Sequence, residues 1–305
     1  MLLNHRAIAF MLISTLSLSL SGLFTKVLSV NMSGELLTFL RLFVPAMILG
    51  SAVIMTSVPK LERSVIGAII IRALCIIACQ FFFIKALVNL SLVESVVLFA
   101  TGPLFIPVIE KILFKVNIKA KTLIGLGFTF FGVVLMAGNV GGVVFRHEYL
   151  YGLAAGLFNA GSQVSLFRAS HHKVSPSTLN FWTFLLAALG ALPILLAQEV
   201  SWQDAQLLTN PFEHYWVWGL MAVFSLTIVS NQLFRAKAYK LVSSNSELAP
   251  LIYTNILFSV IWQYLFFDVS YTYQQLSGIA LILIASLINT FDFGVLRKTH
   301  HQISH

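Results

Sequence analysis

Apolar residues fill long uninterrupted runs of this chain, and polar residues are confined to short stretches between the runs. A helix needs roughly 20 apolar residues to cross a hydrocarbon core about 30 Å thick. About ten runs have this length, so the pattern predicts an all-α polytopic membrane protein. The predicted spans are 7–29, 36–57, 65–88, 92–114, 121–139, 149–170, 178–197, 214–238, 247–267 and 274–296.

Composition agrees with this pattern. Hydrophobic residues make up 58% and charged residues 10% of the 305 residues, whereas soluble domains carry about 25% charged residues. The longest predicted loop, 198–213, is too short for a domain, so the helices themselves must form any functional site. The first run lacks a small-residue cleavage site, and we interpret it as a retained helix rather than a signal peptide.

The net charge of +8 is distributed unevenly between alternate loops. With a cytoplasmic amino terminus, the opposite loops contain Arg146 as their only basic residue. Short basic loops face the cytoplasm, so we expect both termini there and no nucleic-acid partner. The basic residues on the expected cytoplasmic side are Lys60, Arg63, Lys115, Lys119, Lys121, Lys173, Lys237, Lys240, Arg297 and Lys298.

The chain repeats itself at an offset of about 150 residues, which divides it into halves 1–141 and 142–305. Each half has five predicted helices, and five is odd, so the second half must enter the membrane from the opposite side. Such inverted repeats place the substrate near the midplane between the halves. The matched pairs are Gln80 and Gln232, Lys85 and Lys237, Ser91 and Ser244, Glu94 and Glu247, Gly125 and Gly278, and, at a slightly shorter offset, Lys26 and Arg168, Ser33 and Ser175, and Phe39 and Phe181.

The paired Ser-x-x-Glu elements have two interpretations. Each has the form of a capping box, in which the serine and glutamate satisfy backbone N–H groups at a helix start. Alternatively, Glu94 and Glu247 carry protons that couple transport to a gradient. Both lie near a predicted helix end, which favours the capping role.

Several motifs resemble those of the EamA-type transporters of the drug/metabolite transporter superfamily. The first half contains Lys85-Ala86-Leu87 and Gly102-Pro103-Leu-Phe-Ile-Pro107, and Arg41 matches the arginine of the family's second helix. The second half contains Lys237-Ala238-Tyr239 and Ala249-Pro250-Leu251. Many members carry an acidic residue after the fourth helix, where this chain has Phe114-Lys115-Val116.

The resemblance implies a transporter of a small organic metabolite in a bacterial inner membrane, without a cofactor. Arg72 together with Arg41 is similar to members that take up metabolites such as S-adenosylmethionine, so an amino-acid-like or nucleoside-like solute is one expectation. Uptake, export and exchange remain open. The fifth and tenth helices often form dimer contacts in the superfamily, so the expected state is a monomer or a homodimer.

Charged and amide side chains in the membrane interior are the candidate substrate contacts. A buried charge costs at least ~2.5–3.5 kcal/mol on insertion scales. Arg41 and Arg72 therefore either bind an anionic substrate, or cap backbone carbonyls or snorkel to the headgroups. Amides at depth must point inward, where they contact either substrate or other helices. The candidate amides are Gln80, Asn159, Gln163, Gln232 and Asn255, and Tyr253 is a candidate aromatic wall.

Prolines inside predicted helices indicate gating elements. Pro103 and Pro107 lie one turn apart beside Gly102, and Pro250 lies near the start of the ninth span. Proline removes a backbone donor and bends a helix. The cysteines Cys75 and Cys79 lie on one span and are expected to be packing residues, with no metal site.

Three functional classes compete, and a secondary transporter working by alternating access leads. No Walker phosphate loop is present, so ATP-driven pumping by this chain is unsupported. An intramembrane enzyme would need catalytic groups at depth, and no His-Glu-x-x-His or Gly-x-Ser-x-Gly motif occurs; we expect no enzymatic activity. A channel is the remaining alternative.

Overall fold

The computed structural model describes residues 5–54, 63–102, 146–197, 201–242, 248–252, 254–267 and 272–290, with scattered positions between 104 and 135. Helices dominate these residues. They are α1 (His5–Leu28), α2 (Gly34–Ile54), α3 (Arg63–Asn89), α4 (Leu92–Phe99), α5 (Glu148–Ser170), α6 (Pro176–Leu196), α7 (Trp202–Thr209), α8 (Tyr215–Tyr239), α9 (Ala249–Ile252), α10 (Thr254–Phe266) and α11 (Tyr273–Thr290).

Five helices within the described ranges are long and apolar enough to cross a membrane: α1, α2, α6, α8 and the Val65–Asn89 part of α3. Shorter apolar helices cover Leu92–Ile106, Thr254–Phe266 and Leu276–Ala285. Helix α5 has 23 residues, enough to span, although its serine and amide residues make it more polar. The chain is therefore a multi-pass integral membrane protein, as predicted.

One helix was not expected from the hydrophobic pattern. Residues 198–213 were predicted to be a loop, but α7 begins at Trp202 within them. Ser201 caps α7 by accepting a hydrogen bond from the Asp204 N–H at 3.1 Å. The Asp204 carboxylate in turn accepts from the Ser33 N–H, just before α2, at 2.9 Å. This helix lies between two membrane spans and contains no long apolar run, so the hydrophobic pattern does not predict it.

Helix packing shows a pseudo-two-fold relationship between the halves. The most extensive interfaces join α3 to α5, α1 to α8, and α2 to α6. An inverted repeat exchanges α1 with α5, α2 with α6, and α3 with α8. The α1–α8 interface therefore becomes the α3–α5 interface, and the α2–α6 interface maps onto itself. The two halves interdigitate around this axis, so both contribute to the centre of the protein.

Small residues let α4 and α5 approach closely. A Cβ atom on Gly152 would lie 2.7 Å from Leu98 Cβ, and one on Gly156 would lie 2.9 Å from the Leu98 carbonyl oxygen and 2.8 Å from Thr101 Oγ1. Close backbone approach of this kind is typical of membrane helix interfaces, where packing and not apolar burial drives association. The contact holds α4 against the second half, beside the central cavity.

Candidate substrate-binding site

A polar cavity of about 40 Å³ lies at the centre of the protein. Helices α1, α2, α3, α4, α5, α6, α8 and α10 line it, so residues from both halves surround it. We use "amino-terminal side" for the membrane side where α1 begins, and "opposite side" for the one where α1 ends. The polar lining residues are Ser21, Arg41, Cys79, Gln80, Asn159, Ser162, Gln163, Asn231, Gln232, Arg235 and Asn255.

All five amides predicted as substrate contacts line this cavity. Gln163 donates from Nε2 to Asn159 Oδ1 at 3.2 Å and accepts at Oε1 from the Tyr239 hydroxyl at 3.0 Å. By contrast, Gln80 Oε1 and Asn255 Oδ1 are buried and have no hydrogen-bond partner within the described part of the chain. The predicted amides therefore fall into two groups. Gln163 and Asn159 are hydrogen-bonded to other side chains, whereas Gln80 and Asn255 have free acceptor atoms.

Arg72 is almost fully buried in α3, where it binds the second half of the chain. Its Nη2 donates to Gln232 Oε1 on α8 at 2.9 Å, and its Nη1 lies 3.4 Å from Thr183 Oγ1 on α6. Its Nε has no hydrogen-bond partner in the ranges that the structure describes. Arg72 thus points inward and does not snorkel, and it lies one side chain behind Gln232, which lines the cavity.

Arg235 on α8 is a cavity residue that the sequence analysis did not select. It is 2% exposed and lines the central cavity and a smaller adjoining one. Its Nε donates to Ser14 Oγ on α1 at 3.2 Å, and Ser14 donates to Asn231 Oδ1 at 2.8 Å. Its Nη2 has no partner among the described residues. Arg235 lies only four residues from the end of α8, yet its side chain is buried and turns inward.

Arg41 lies on the opposite side of the cavity in a different environment. Its Nη1 donates to Thr25 Oγ1 on α1 at 2.9 Å. Its guanidinium carbon lies 5.6 Å from the ring centroid of Phe83 and 5.4 Å from that of Phe224. Aromatic faces attract a guanidinium group, so Arg41 is held by three neighbours from three helices.

Glu94 forms the capping box expected at the start of α4. Its Oε2 accepts from the Ser91 N–H at 2.9 Å, and Ser91 Oγ accepts from the Glu94 N–H at 3.2 Å. The other carboxylate oxygen accepts from the Tyr149 hydroxyl at 3.3 Å. These bonds establish a capping role for Glu94. The proton-carrying role stays a prediction, and Glu247 lies outside the described residues.

The predicted gating residues are only partly described. A Cβ on Gly102 would lie 3.1 Å from Asn159 Nδ2 and from the Gly156 carbonyl oxygen, so α5 packs closely against α4 at this point. Pro250 is part of the short helix α9. Pro103, Pro107 and the predicted aromatic wall residue Tyr253 lie outside the described residues. The gating role therefore stays a prediction.

The chain is similar to known proteins in its fold and in its sequence. A solved crystal structure of another protein matches 94% of this chain and 94% of its own, with a TM-score of 0.55 and 20% identity. This likeness concerns the fold alone. Comparison with curated proteins finds no significant match. The model of the EamA-like transporter family matches residues 5–138 and again residues 147–291. The chain therefore belongs to the EamA-like transporter family, with two copies of its five-helix repeat.

Proposed function

We propose that this protein is a secondary transporter that moves a small organic solute across the membrane by alternating access. Membership of a transporter family supports the transport role. The observation that carries the mechanism is the polar cavity between two inverted halves, lined by both of them. Repeats of this kind rock against each other around a fixed midplane site.

We infer from the small volume of the cavity that the protein is in a closed conformation. A water molecule needs roughly 10–15 Å³ of such space, so about 40 Å³ holds a few waters and excludes a metabolite. The α1–α8 and α3–α5 contacts must therefore separate on one side at a time for solute to enter. These two interfaces are exchanged by the pseudo-two-fold axis, so they are expected to open in equivalent ways in the two states.

The charged loops support a proposal for the arrangement of the protein in the cell. We propose a bacterial inner-membrane protein with both termini cytoplasmic, present as a monomer or homodimer, because basic loops lie on the amino-terminal side. No described feature of the cavity requires a cofactor. The direction of transport and its coupling depend on gradients and not on this geometry.

Counterflow in proteoliposomes tests the mechanism. Vesicles loaded with an unlabelled solute are diluted into a trace of the same solute carrying a radiolabel, and a broad metabolite panel is screened in this way. A transporter that exchanges solutes accumulates label transiently above equilibrium, whereas a channel only equilibrates it. Counterflow for at least one solute is expected; simple equilibration alone would identify a channel instead.

A further inference from the structure

Two buried arginines lie on the amino-terminal side of the central cavity, Arg72 on α3 and Arg235 on α8. They lie near each other, because Arg72 donates to Gln232, which precedes Arg235 by about one helical turn on α8. Within the described ranges, neither forms an ion pair with a carboxylate. Each retains a guanidinium nitrogen without a partner: Nε of Arg72 and Nη2 of Arg235. Arginine remains charged even when buried, so this arrangement leaves two positive charges uncompensated.

Comparison of the two halves shows that this pair is peculiar to one side. The offset between Phe39 and its equivalent Phe181 makes Thr183 the equivalent of Arg41. The offset between Gln80 and its equivalent Gln232 makes Arg235 the equivalent of Phe83, and Phe224 the equivalent of Arg72. On the opposite side one arginine lies between two aromatic rings. On the amino-terminal side a threonine takes the place of that arginine, and two arginines take the places of the rings.

These two equivalent places differ in how far their charge is satisfied. The single arginine on the opposite side has a hydroxyl acceptor and two ring faces, which attract a cation. The pair on the amino-terminal side has hydroxyl and amide acceptors, and these neutral oxygens do not offset two charges. A pseudo-symmetric scaffold does not require this difference, so packing alone does not account for it.

We propose that Arg235 and Arg72 form the anion-binding end of the substrate site, and that the transported solute carries a carboxylate or phosphate group. Arg235 lines the cavity and makes the direct contact, while Arg72 contributes its charge from behind Gln232. This inference rests on the proposed transport function. Guanidinium groups bind planar or tetrahedral oxyanions through forked, charge-assisted hydrogen bonds.

The solute is also expected to carry hydrogen-bond donors. Gln80 Oε1 and Asn255 Oδ1 are buried acceptors without a partner among the described residues, and both residues line the central cavity. Buried polar groups usually have partners. A solute with both an anionic group and N–H or O–H donors would satisfy the free arginine nitrogens and these free acceptors.

Thermal unfolding of the purified full-length protein tests anion binding without any variant. Its midpoint is measured with a panel of carboxylates and phosphates that includes succinate, inorganic phosphate and phosphate monoesters, at matched ionic strength. Neutral amides such as succinamide are the controls. At least one anion should raise the unfolding midpoint while its neutral counterpart does not. A response to succinate would indicate a site for carboxylates, and a response to phosphate would indicate a site for phosphates. Equal effects of anions and amides, or no effect of any anion, would overturn the proposal.

Variants then assign the contact, using an anion that stabilises the wild type. Arg235→Gln should weaken its binding by about tenfold to a hundredfold, the range expected for loss of a charge-assisted hydrogen bond. Arg72→Lys should bind nearly as well as the wild type because it keeps the charge, whereas Arg72→Gln should bind more weakly. Arg146→Gln, on the opposite side and outside the cavity, is the matched control and should leave anion binding unchanged. If Arg235→Gln folds poorly, Arg235→Lys is measured instead. It loses the forked hydrogen bonds of the guanidinium group, so it should also bind the anion more weakly.

The outcomes separate this inference from the proposed function. Counterflow of a neutral solute with unchanged affinity in Arg235→Gln would overturn the anion site and leave transport intact. Anion binding that depends on Arg235, without counterflow of any bound anion, would overturn transport and leave the site. Unchanged anion binding in both Arg235→Gln and Arg72→Gln would place the anion elsewhere and overturn the assignment.

Discussion

Arg72 on α3, the third membrane-spanning helix of the first half, donates a 2.9 Å hydrogen bond to Gln232 on α8, the third membrane-spanning helix of the second half. The bond joins the two repeats beside the cavity that both of them line. If the halves rock against each other, as alternating access requires, a contact that bridges them must adjust or break during the cycle. A buried charge and an amide are suited to this because either can exchange its partner for substrate or water.

Arg41 is expected to stabilise the fold more than it recognises solute. Arg41→Lys keeps the charge but loses the Thr25 contact and the guanidinium contacts with the Phe83 and Phe224 rings. Loss of a desolvated cation–π contact costs about 2 kcal/mol or more. Thermal unfolding should therefore show a lower midpoint, and the Michaelis constant should rise less than in Arg235→Gln. A larger rise than in that variant would make Arg41 a principal substrate contact.

Gln263 on α10 should matter for stability, whereas Gln80 should matter for transport. Gln263 is buried, and its Oε1 accepts from the Leu92 N–H at the start of α4 at 3.0 Å. Gln263→Leu leaves that N–H unpaired, which costs about 1–3 kcal/mol. Gln80→Leu removes a cavity acceptor that has no partner.

Thermal unfolding and solute uptake measured on both leucine variants check this contrast. Gln263→Leu should unfold at a lower temperature with normal uptake per folded molecule. Gln80→Leu should unfold like the wild type and transport poorly. Normal transport by Gln80→Leu would show that this amide is not a substrate contact.

Gly156 is expected to tolerate no side chain. A Cβ there would lie 2.9 Å from the Leu98 carbonyl oxygen, which belongs to the backbone of α4 and cannot rotate away. Gly156→Ala should therefore destabilise the protein by about 1–3 kcal/mol, as overpacking does. Gly219→Ala on α8 is the control, because no atom lies within 4 Å of its Cβ position. The unfolding midpoint of Gly156→Ala should fall, whereas that of Gly219→Ala should rise or stay unchanged.

Glu94→Gln distinguishes a helix cap from a proton carrier. The substitution removes the negative charge that accepts from the Ser91 N–H at the start of α4, so a loss of about 1 kcal/mol in stability is expected. The dependence of uptake on pH should remain that of the wild type. Uptake by reconstituted protein across a series of external pH values measures this. Loss of the pH dependence would assign proton coupling to Glu94.

The orientation of the helices predicts opposite labelling of two exposed sites. Lys173 lies between α5 and α6, and Asn210 follows α7 on the other side of the membrane. Single cysteines placed there, with Cys75 and Cys79 replaced by alanine, should react with an impermeant maleimide from opposite sides. In intact cells only the cysteine at position 210 should react if the amino terminus is cytoplasmic. Labelling of both from one side would contradict the inverted repeat.

Much of the architecture could be predicted from the sequence because the bilayer constrains it strongly. Apolar runs must be helices of a given length, and an odd number of helices per repeat forces inversion. The same reasoning placed amides at depth inside the bundle, since lipid cannot satisfy them. Gln80 and Gln232 were therefore identified as central residues without knowledge of any partner.

The tertiary structure decided which polar groups meet and which remain free. Helical periodicity gives the face and depth of a residue but not the neighbouring side chain. Arg235 was missed because a charge near a helix end normally reaches the headgroups, whereas α8 packs against α1 and offers Ser14 within 3.2 Å. Arg72 was recognised as a buried charge, but its partner Gln232 lies 160 residues away. Only packing brings such distant positions together, and packing also leaves Arg235 with an unpartnered nitrogen beside the cavity.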